Sequence, residues 1–211
     1  MKKLIALLLA LCMVMALAAC GNKETEKEEN NANTNTDTNS GEDKVLASSA
    51  LEILETIWNS YDEDEQFAVS GGDMQTHIEK MEEDENYMPP NAPGAYNLEY
   101  AEELTYTLLI PAEQLENVDE AATMTHMMIA NNFSCGAFHV NGDVSAFANA
   151  VKESVMNNQW MCGQPETLII VSFGGGYVMM AYGIADAMDP FIEHMNGAYA
   201  GAEVLVEESL I

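Results

Sequence analysis

Two short apolar runs, residues 168–173 and 177–182, stand on either side of three consecutive glycines. Runs of this length that are rich in β-branched and aromatic residues predict the two strands of a β-hairpin. Residues 123–129 and Phe133–Val140 predict another hairpin, joined through Ala130-Asn131-Asn132. Two hairpins in one chain constrain the fold strongly, because their apolar faces have to be covered by other elements.

Helical signals lie between and after these hairpins. Asp143 is a suitable N-cap for a first helix, which lies between the two hairpins. Asp189-Pro190 predicts the start of a second helix, which runs to Tyr199, because proline is favoured at the first helical position. Residues 202–206 predict a last strand. The order β-β-α-β-β-α-β predicts an α+β domain with a mainly antiparallel sheet covered by helices. The predicted core positions of the first of these helices are Val144, Phe147, Val151 and Val155.

An earlier helix is predicted between Leu46 and Tyr61, where apolar residues recur with a period of 3.6. Ser49 and Glu52 have the spacing of a capping box at its start. Residues 62–100 are acidic and interrupted by Gly and Pro, and they predict turns more than any regular element. Residues 46–211 are therefore assigned to a single globular domain.

Residues 20–45 have a different composition, built mainly from Asn, Thr, Glu, Lys, Asp, Ser and Gly. So little apolar surface cannot offset the entropy of ordering, so this segment is predicted to be a disordered tether. A flexible coil of this length spans roughly 25–30 Å.

The chain begins with Met1-Lys2-Lys3 and a run of apolar residues that ends in Leu17-Ala18-Ala19-Cys20. A short basic region before an apolar stretch is typical of an export signal. The four-residue sequence resembles the lipobox of bacterial lipoproteins. This resemblance implies that residues 1–19 are a signal peptide, that Cys20 carries a diacylglycerol, and that lipid holds the protein to the outer face of a cell membrane. Two acyl chains are enough for stable anchoring.

The globular part resembles a family of uncharacterised lipoproteins from Firmicutes. The stretches that carry the resemblance are Leu108-Leu109-Ile110-Pro111, Phe133–Val140, the helix after Asp143, and residues 168–183. The resemblance implies the same order of lipobox, polar tether and small α/β domain. It implies no activity.

The charge of the chain argues against nucleic acid as a partner. The chain has 35 acidic residues against 7 lysines and no arginine, with a formal net charge of −28. Nucleic-acid binding needs clustered Lys or Arg, so nucleic acid is not an expected partner. Such a charge favours solubility and self-repulsion, and the alternative interpretation is attraction of cations or basic partners.

Two cysteines remain after Cys12 leaves with the signal and Cys20 takes lipid. Exactly one pair of thiols in an exported domain predicts a disulfide between Cys135 and Cys162. The alternatives are two reduced buried thiols or a reactive pair. A dyad of Cys135 with His139 is not favoured, because residues four apart in a strand are about 13 Å apart.

Metal and cofactor motifs are weak. Met124, His126 and Met128 alternate as a Cu(I) site would require, but the 15 methionines of the chain favour a core-filling role. The acidic runs 62–65 and 82–85 lack the glycine of a calcium loop and predict solvated surface. No metal ligand, cofactor or catalytic residue is assigned.

These features favour a membrane-anchored, extracytoplasmic lipoprotein that acts as a non-catalytic binding or envelope-associated module for a protein or small molecule. The alternatives are a thiol-redox protein or enzyme that uses Cys135 and Cys162, and a metal-binding lipoprotein.

Overall fold

The structure is a computed structural model that describes residues 45–211. The predicted signal peptide, Cys20 and all but the last residue of the predicted tether lie outside the described residues. The described part contains six α-helices: α1 (Ala50–Trp58), α2 (Met74–Glu83), α3 (Leu104–Thr107), α4 (Ala112–Leu115), α5 (Val144–Met156) and α6 (Ala185–Ala198). Two 3-10 helices, Leu98–Glu103 and Ala130–Asn132, precede α3 and the fourth strand.

A seven-stranded antiparallel sheet forms the centre of the domain. The strands are β1 (Val69–Ser70), β2 (Gly94–Ala95), β3 (Val118–His126), β4 (Phe133–Val140), β5 (Thr167–Gly174), β6 (Tyr177–Gly183) and β7 (Glu203–Ser209). Their order in the sheet is β1-β3-β4-β6-β5-β7, and β2 also pairs with β3. The predicted class, an α+β domain with an antiparallel sheet covered by helices, is therefore confirmed.

Both faces of the sheet are buried, and they belong to two separate hydrophobic clusters. Helices α1 and α6 cover one face and form the α1/α6 cluster with it. Helices α3 and α5 cover the other face and form the α5 cluster. Burial on both faces explains why β4, β5 and β6 are almost continuously apolar. The described residues thus supply two hydrophobic clusters, as expected of a domain that folds independently.

Several predicted elements are confirmed with small changes of boundary. Strand β4 has the predicted limits, and β5 and β6 form the predicted hairpin, with positive φ angles at Gly174, Gly175 and Gly176. Asp143 Oδ1 accepts hydrogen bonds from the N–H groups of Ser145 and Ala146 and so caps α5. The last strand, β7, extends to Ser209.

The predicted start of α6 is wrong. The helix begins at Ala185, so Pro190 lies inside it and not at its first position. The reason is a long-range cap: Glu166 Oε2 accepts a hydrogen bond from Ala185 N–H at 3.1 Å. Buried Met188 also holds the first turn on the core. Neither contact is local in sequence.

At α1, half of the predicted capping box forms. Ser49 Oγ accepts from Glu52 N–H at 3.0 Å, as predicted. The Glu52 carboxylate does not return to Ser49; it accepts from the N–H and the hydroxyl of Ser48. These bonds hold the pKa of Glu52 below its usual value.

Strand β3 differs from its prediction at both ends. It begins at Val118 and ends at His126, whereas the sequence predicted residues 123–129. His126 Nδ1 accepts hydrogen bonds from the N–H groups of Met128 and Ile129, which turns the chain away from the sheet. As a consequence Met127 and Met128 are exposed.

Candidate functional site

A cavity of about 550 Å³ opens on the α5 face of the sheet, beyond the C-terminal end of α5. Thr123 and Thr125 of β3 and Tyr182 of β6 line it from the sheet. Its walls are the start of α2, the segment around α3, and the loops that follow β3 and α5. Binding sites for small molecules commonly have volumes of this order.

Two polar side chains of the cavity floor, Thr123 and Tyr182, are paired within the protein. Thr123 Oγ1 donates to Gly72 O at 3.0 Å and accepts from Gly72 N–H at 2.9 Å. The Tyr182 hydroxyl donates to Thr107 O at 3.0 Å. Burial raises the pKa of Tyr182, so the hydroxyl stays protonated. The hydroxyl protons of Thr123 and Tyr182 are therefore not available to a ligand.

Wall residues on the α2 side are fixed by a buried network. The Asp73 carboxylate caps α2 by accepting from Thr76 N–H at 2.7 Å, and it also accepts from Asn97 N–H at 3.0 Å. Burial raises the pKa of Asp73, but these hydrogen bonds outweigh it and leave the pKa below its usual value. His77 Nε2 donates to Gly71 O at 2.8 Å, and His77 Nδ1 lies 2.8 Å from the Tyr87 hydroxyl oxygen.

Gly71 and Gly94 explain how β1 and β2 share one edge of β3. A Cβ atom on Gly71 would lie 2.0 Å from the backbone nitrogen of Gly94 and 2.5 Å from Thr123 O. A Cβ atom on Gly94 would lie 2.6 Å from the backbone of Gly71. The close crossing of these two segments brings α2 to the side of the cavity.

The rim of the cavity is unusually apolar and exposed. Tyr106 is 84% exposed and Met128 is 81% exposed, and Met74 and Met127 are also exposed. Trp160 lies deeper, half-buried, with its ring centroid 5.2 Å from that of Tyr182. Large side chains left in water around a concavity are typical of a binding surface.

The electrostatics of the site are acidic. Its lining includes the carboxylates of Asp73 and Glu103 and no Lys or Arg. Burial and the nearby Glu103 raise the pKa of Tyr96, whose hydroxyl donates to Tyr100 O at 3.3 Å. Cationic or neutral ligands therefore suit the cavity better than anions.

The cavity and the beginning of the domain lie at opposite ends of the sheet. Leu46 N–H donates to Phe173 O at 2.8 Å, and Val45 is so close to Gly175 that a Cβ atom there would be 2.9 Å from its side chain. The domain therefore begins at the end of the sheet where the β5–β6 turn lies. Thr125 and Tyr182 are at the opposite end of their strands, about 20 Å from this turn.

Cys135 and Cys162 are free in the structure, which does not bridge them as the sequence predicted. Cys135 is buried in the α1/α6 cluster, and burial raises the pKa of its thiol well above the usual value. Cys162 is exposed in the loop before β5 with φ of 63°. Asn131 Nδ2 holds this loop through the carbonyls of Met161 and Gly163, at 2.8 and 2.7 Å.

The three residues of the alternative copper site are in different surroundings. Met124 is fully buried in the α1/α6 cluster. His126 stacks on Phe67 with ring centroids 6.0 Å apart, and its Nδ1 accepts two backbone N–H groups. Met128 lies beyond the end of the strand and is exposed. Among residues 45–211, no group of three or more His, Cys, Asp or Glu side chains is arranged to hold a metal ion.

Two histidine clusters have the composition of catalytic groups but a different geometry. Ser60 Oγ donates to Ile57 O at 2.6 Å and lies 2.9 Å from His194 Nδ1, so its own proton is already used and it accepts from the ring. His139 Nδ1 lies 2.5 Å from Asp119 Oδ1, while Nε2 lies 3.1 Å from Gly175 O. That second histidine pins the β5–β6 turn and keeps the pKa of Asp119 below its usual value.

Comparisons with known proteins assign this chain to no family, so its fold and its cavity are what describe it. No family model, no curated protein and no solved structure matches it. Among residues 45–211, none of the helices is both long and apolar enough to span a membrane. The class that the structure defines is thus an α+β domain with an acidic, apolar-rimmed cavity at one end of an antiparallel sheet.

Sequence reasoning assigned no residue of this cavity to a site; His126 and Met128 were considered only for a copper site that it did not favour. It treated methionine as core filler, which is right for Met124 and Met180 and wrong for Met74, Met127 and Met128. One available signal was that Met127 and Met128 follow the polar residues Thr125 and His126 and directly precede a turn. The cavity itself is formed by segments that are distant in sequence, so no local pattern encodes it.

Proposed function

We propose that this protein is a lipid-anchored, non-catalytic binding module of the cell surface and that its ligand site is the cavity next to α2 and α3. The observation that carries the proposal is a concavity of about 550 Å³ whose rim places Tyr106, Met127 and Met128 in water. Exposing such side chains is unfavourable unless a partner covers them for part of the time.

The hydrogen bonds that polar side chains of the cavity make within the protein favour binding over catalysis. The hydroxyls of Thr123 and Tyr182 and the carboxylate of Asp73 are all engaged in bonds that hold the walls together. A nucleophile or general base needs a free lone pair directed at the reacting atom. The buried thiol of Cys135 is likewise a poor nucleophile, because its thiolate is disfavoured. These groups give shape to the cavity.

The anchoring part of the proposal rests on the resemblance of Leu17-Ala18-Ala19-Cys20 to a lipobox. The domain is compatible with such an anchor, because the chain enters it at the end of the sheet opposite the cavity.

Fluorescence of Nile red, a neutral apolar dye, tests the site in a protein of residues 21–211. We expect saturable binding to the wild type with a stoichiometry of one. Thr125→Trp, which fills the floor, and the double variant Tyr106→Ala/Met128→Ala, which removes the rim, should each weaken it about tenfold or more, because two to three apolar contacts are lost.

The matched control is Met88→Ala. Met88 is as exposed as Met128 but does not line the cavity, so its loss should leave dye binding unchanged. Non-saturable binding, or equal binding by the wild type and both cavity variants, would exclude this cavity as the site. Circular dichroism of every variant verifies that the fold is retained.

The anchor is tested in the full chain by mass spectrometry and membrane fractionation of the wild type and Cys20→Ser. We expect the wild type to carry an acylated N-terminal Cys20 and to remain with membranes through a high-salt wash, and the variant to lose the acyl mass. A wild-type protein with residues 1–19 intact and no added acyl groups would overturn this part of the proposal and leave the cavity test unaffected.

A further inference from the structure

The apolar surface of the site extends past the cavity along α2. Met74 lies at the rim, and Ile78 and Met81 follow it at helical spacings of four and three residues. All three side chains are exposed, and His77 is the buried residue of this helix. An exposed stripe of this kind is the reverse of an ordinary surface helix, which turns its apolar positions toward the core. The ligand surface is therefore longer than a small molecule needs.

Charged side chains border this apolar surface on both sides, and they are almost all negative. The exposed carboxylates of Glu82 and Glu83 are on α2, and those of Glu102 and Glu103 are on the 3-10 helix across the cavity. Lys80 is the one lysine of α2, and its Nζ lies 5.6 Å from the centre of the Tyr87 ring.

The whole domain has the same imbalance. Seven of the 35 acidic residues precede Val45, so 28 remain in residues 45–211, against two lysines. One of these is Lys80, and the other, Lys152, is paired with Glu208. A positively charged partner therefore meets almost no repulsion near the cavity and is attracted from a distance.

Methionine dominates the apolar part of this surface. Its unbranched, polarizable side chain adapts to partners of different shape, which suits the recognition of apolar side chains on a peptide. The cavity accepts a few anchoring side chains, and the stripe on α2 continues the contact. An amphipathic segment with apolar anchors at helical spacing matches such a surface.

We propose that the site binds a basic amphipathic segment of a partner protein, whose apolar face enters the cavity and whose Lys or Arg residues face the surrounding glutamates. The inference rests on the proposed function, because it names the ligand class of the same cavity. It adds the α2 stripe and the acidic border to the site.

Two fluorescein-labelled peptides test it. Both have Leu at the same positions of an amphipathic helix, and the remaining positions are Lys in one and Glu in the other. We expect the protein of residues 21–211 to bind the Lys peptide at least about tenfold more tightly than the Glu peptide, measured by fluorescence anisotropy. Raising the salt from about 0.02 M to about 0.5 M should weaken the binding, since the charges are exposed.

Variants separate docking in the cavity from general attraction between opposite charges. Tyr106→Ala/Met128→Ala should weaken the Lys peptide about tenfold, whereas Met88→Ala should not change it. Glu102→Gln/Glu103→Gln should weaken it about threefold, since each exposed charge contributes modestly. Its control is Glu203→Gln/Glu207→Gln, which removes the same charge from β7, four strand spacings or about 19 Å from β3.

The outcomes distinguish this inference from the proposed function. If Nile red binds in the cavity but the two peptides bind equally well or not at all, the inference fails and the binding function stands. If the Lys peptide binds but neither the rim variant nor the Glu102/Glu103 variant differs from its control, the attraction is diffuse and the inference also fails. If neither the dye nor any peptide binds, both fail.

Discussion

The two faces of the sheet are covered by unequal amounts of helix. Over one face, α1 and α6 together supply 23 helical residues and close the α1/α6 cluster. Over the other, α5 supplies 13, and the four-residue α3 with its neighbouring loops covers the remainder. The cavity lies where that second cover is incomplete.

Strand β3 shows the difference residue by residue. Ala122 and Met124 point into the face covered by α1 and α6, here called the closed face, and are fully buried. Thr123 and Thr125 lie on the other side of the same strand, the open face, and line the cavity. Alternation along a strand thus produces a core on one face and a ligand site on the other. The closed face should determine stability, and the open face should determine binding.

Thiol labelling should give the largest contrast between the faces. In the protein of residues 21–211, a thiol reagent should modify exposed Cys162 at once in the native state. Cys135, at the centre of the closed face, should react at least about a thousandfold more slowly, because the sheet must open first and domains of this kind have unfolding free energies of 5 kcal/mol or more.

Mass spectrometry counts the labels. One label in the native protein and two after unfolding is the expected result, and Cys162→Ser should leave a single slow site. No label in the native or the unfolded protein before reduction would mean that Cys135 and Cys162 form the disulfide that the sequence predicted.

Removing a large side chain from each face should separate stability from binding. Phe133 is fully buried and contacts Phe67 and Phe191, with ring centroids 5.1 and 5.0 Å away. Phe133→Ala should lower the free energy of unfolding by about 3–5 kcal/mol in urea titrations. Tyr106→Ala should change it by less than about 0.5 kcal/mol. Similar losses from the two substitutions would show that the rim is part of the core.

The long-range cap of α6 is a smaller contribution to the closed face. Glu166→Ala leaves Ala185 N–H without its acceptor and should cost about 1 kcal/mol of unfolding free energy. Glu166→Gln retains an oxygen acceptor and should recover most of this loss. Equal destabilisation by both substitutions would point to charge, not capping, as the source of the effect.

Acid should act on the open face through Asp73. Hydrogen bonds keep the pKa of this carboxyl below its usual value despite its burial. The stability they contribute is therefore complete above the unfolded-state pKa of about 3.9 and is lost as the pH falls through the lower pKa of the folded state. Urea titrations should show Asp73→Asn less stable than the wild type at pH 7, with a gap that narrows in acid. A gap independent of pH would contradict this origin.

The sequence predicted the parts of the fold that have local signals. Asp143 as a cap and the glycines of the β5–β6 turn both act on neighbours in the chain, so their roles are legible from spacing. The cap of α6 cannot be read from spacing, because Glu166 is 19 residues away from Ala185, whose N–H donates to it. Pro190, a residue type that favours the first position of a helix, led to the wrong predicted start.

The site was beyond local reasoning for a related reason. A methionine has the same hydrophobicity whether it fills a core or lies at a rim. Whether it is buried or exposed depends on which segments of the chain cover it. For Met127, this depends on a single side chain, His126, which ends β3 by accepting two backbone N–H groups. The acidic character of the site, in contrast, was visible in the composition.

The placement of Val45 beside the β5–β6 turn has a mechanical consequence. If the domain is held through residues before Val45, as proposed, and a partner pulls at the cavity, the force acts between Leu46 at one end of the sheet and Thr125 and Tyr182 at the other. The chain runs from Leu46 into α1, so the hydrogen bond from Leu46 N–H to Phe173 O and the buried face of α1 would bear the load before the ladder hydrogen bonds. The packing of α1 against the sheet would therefore limit the force that the domain withstands.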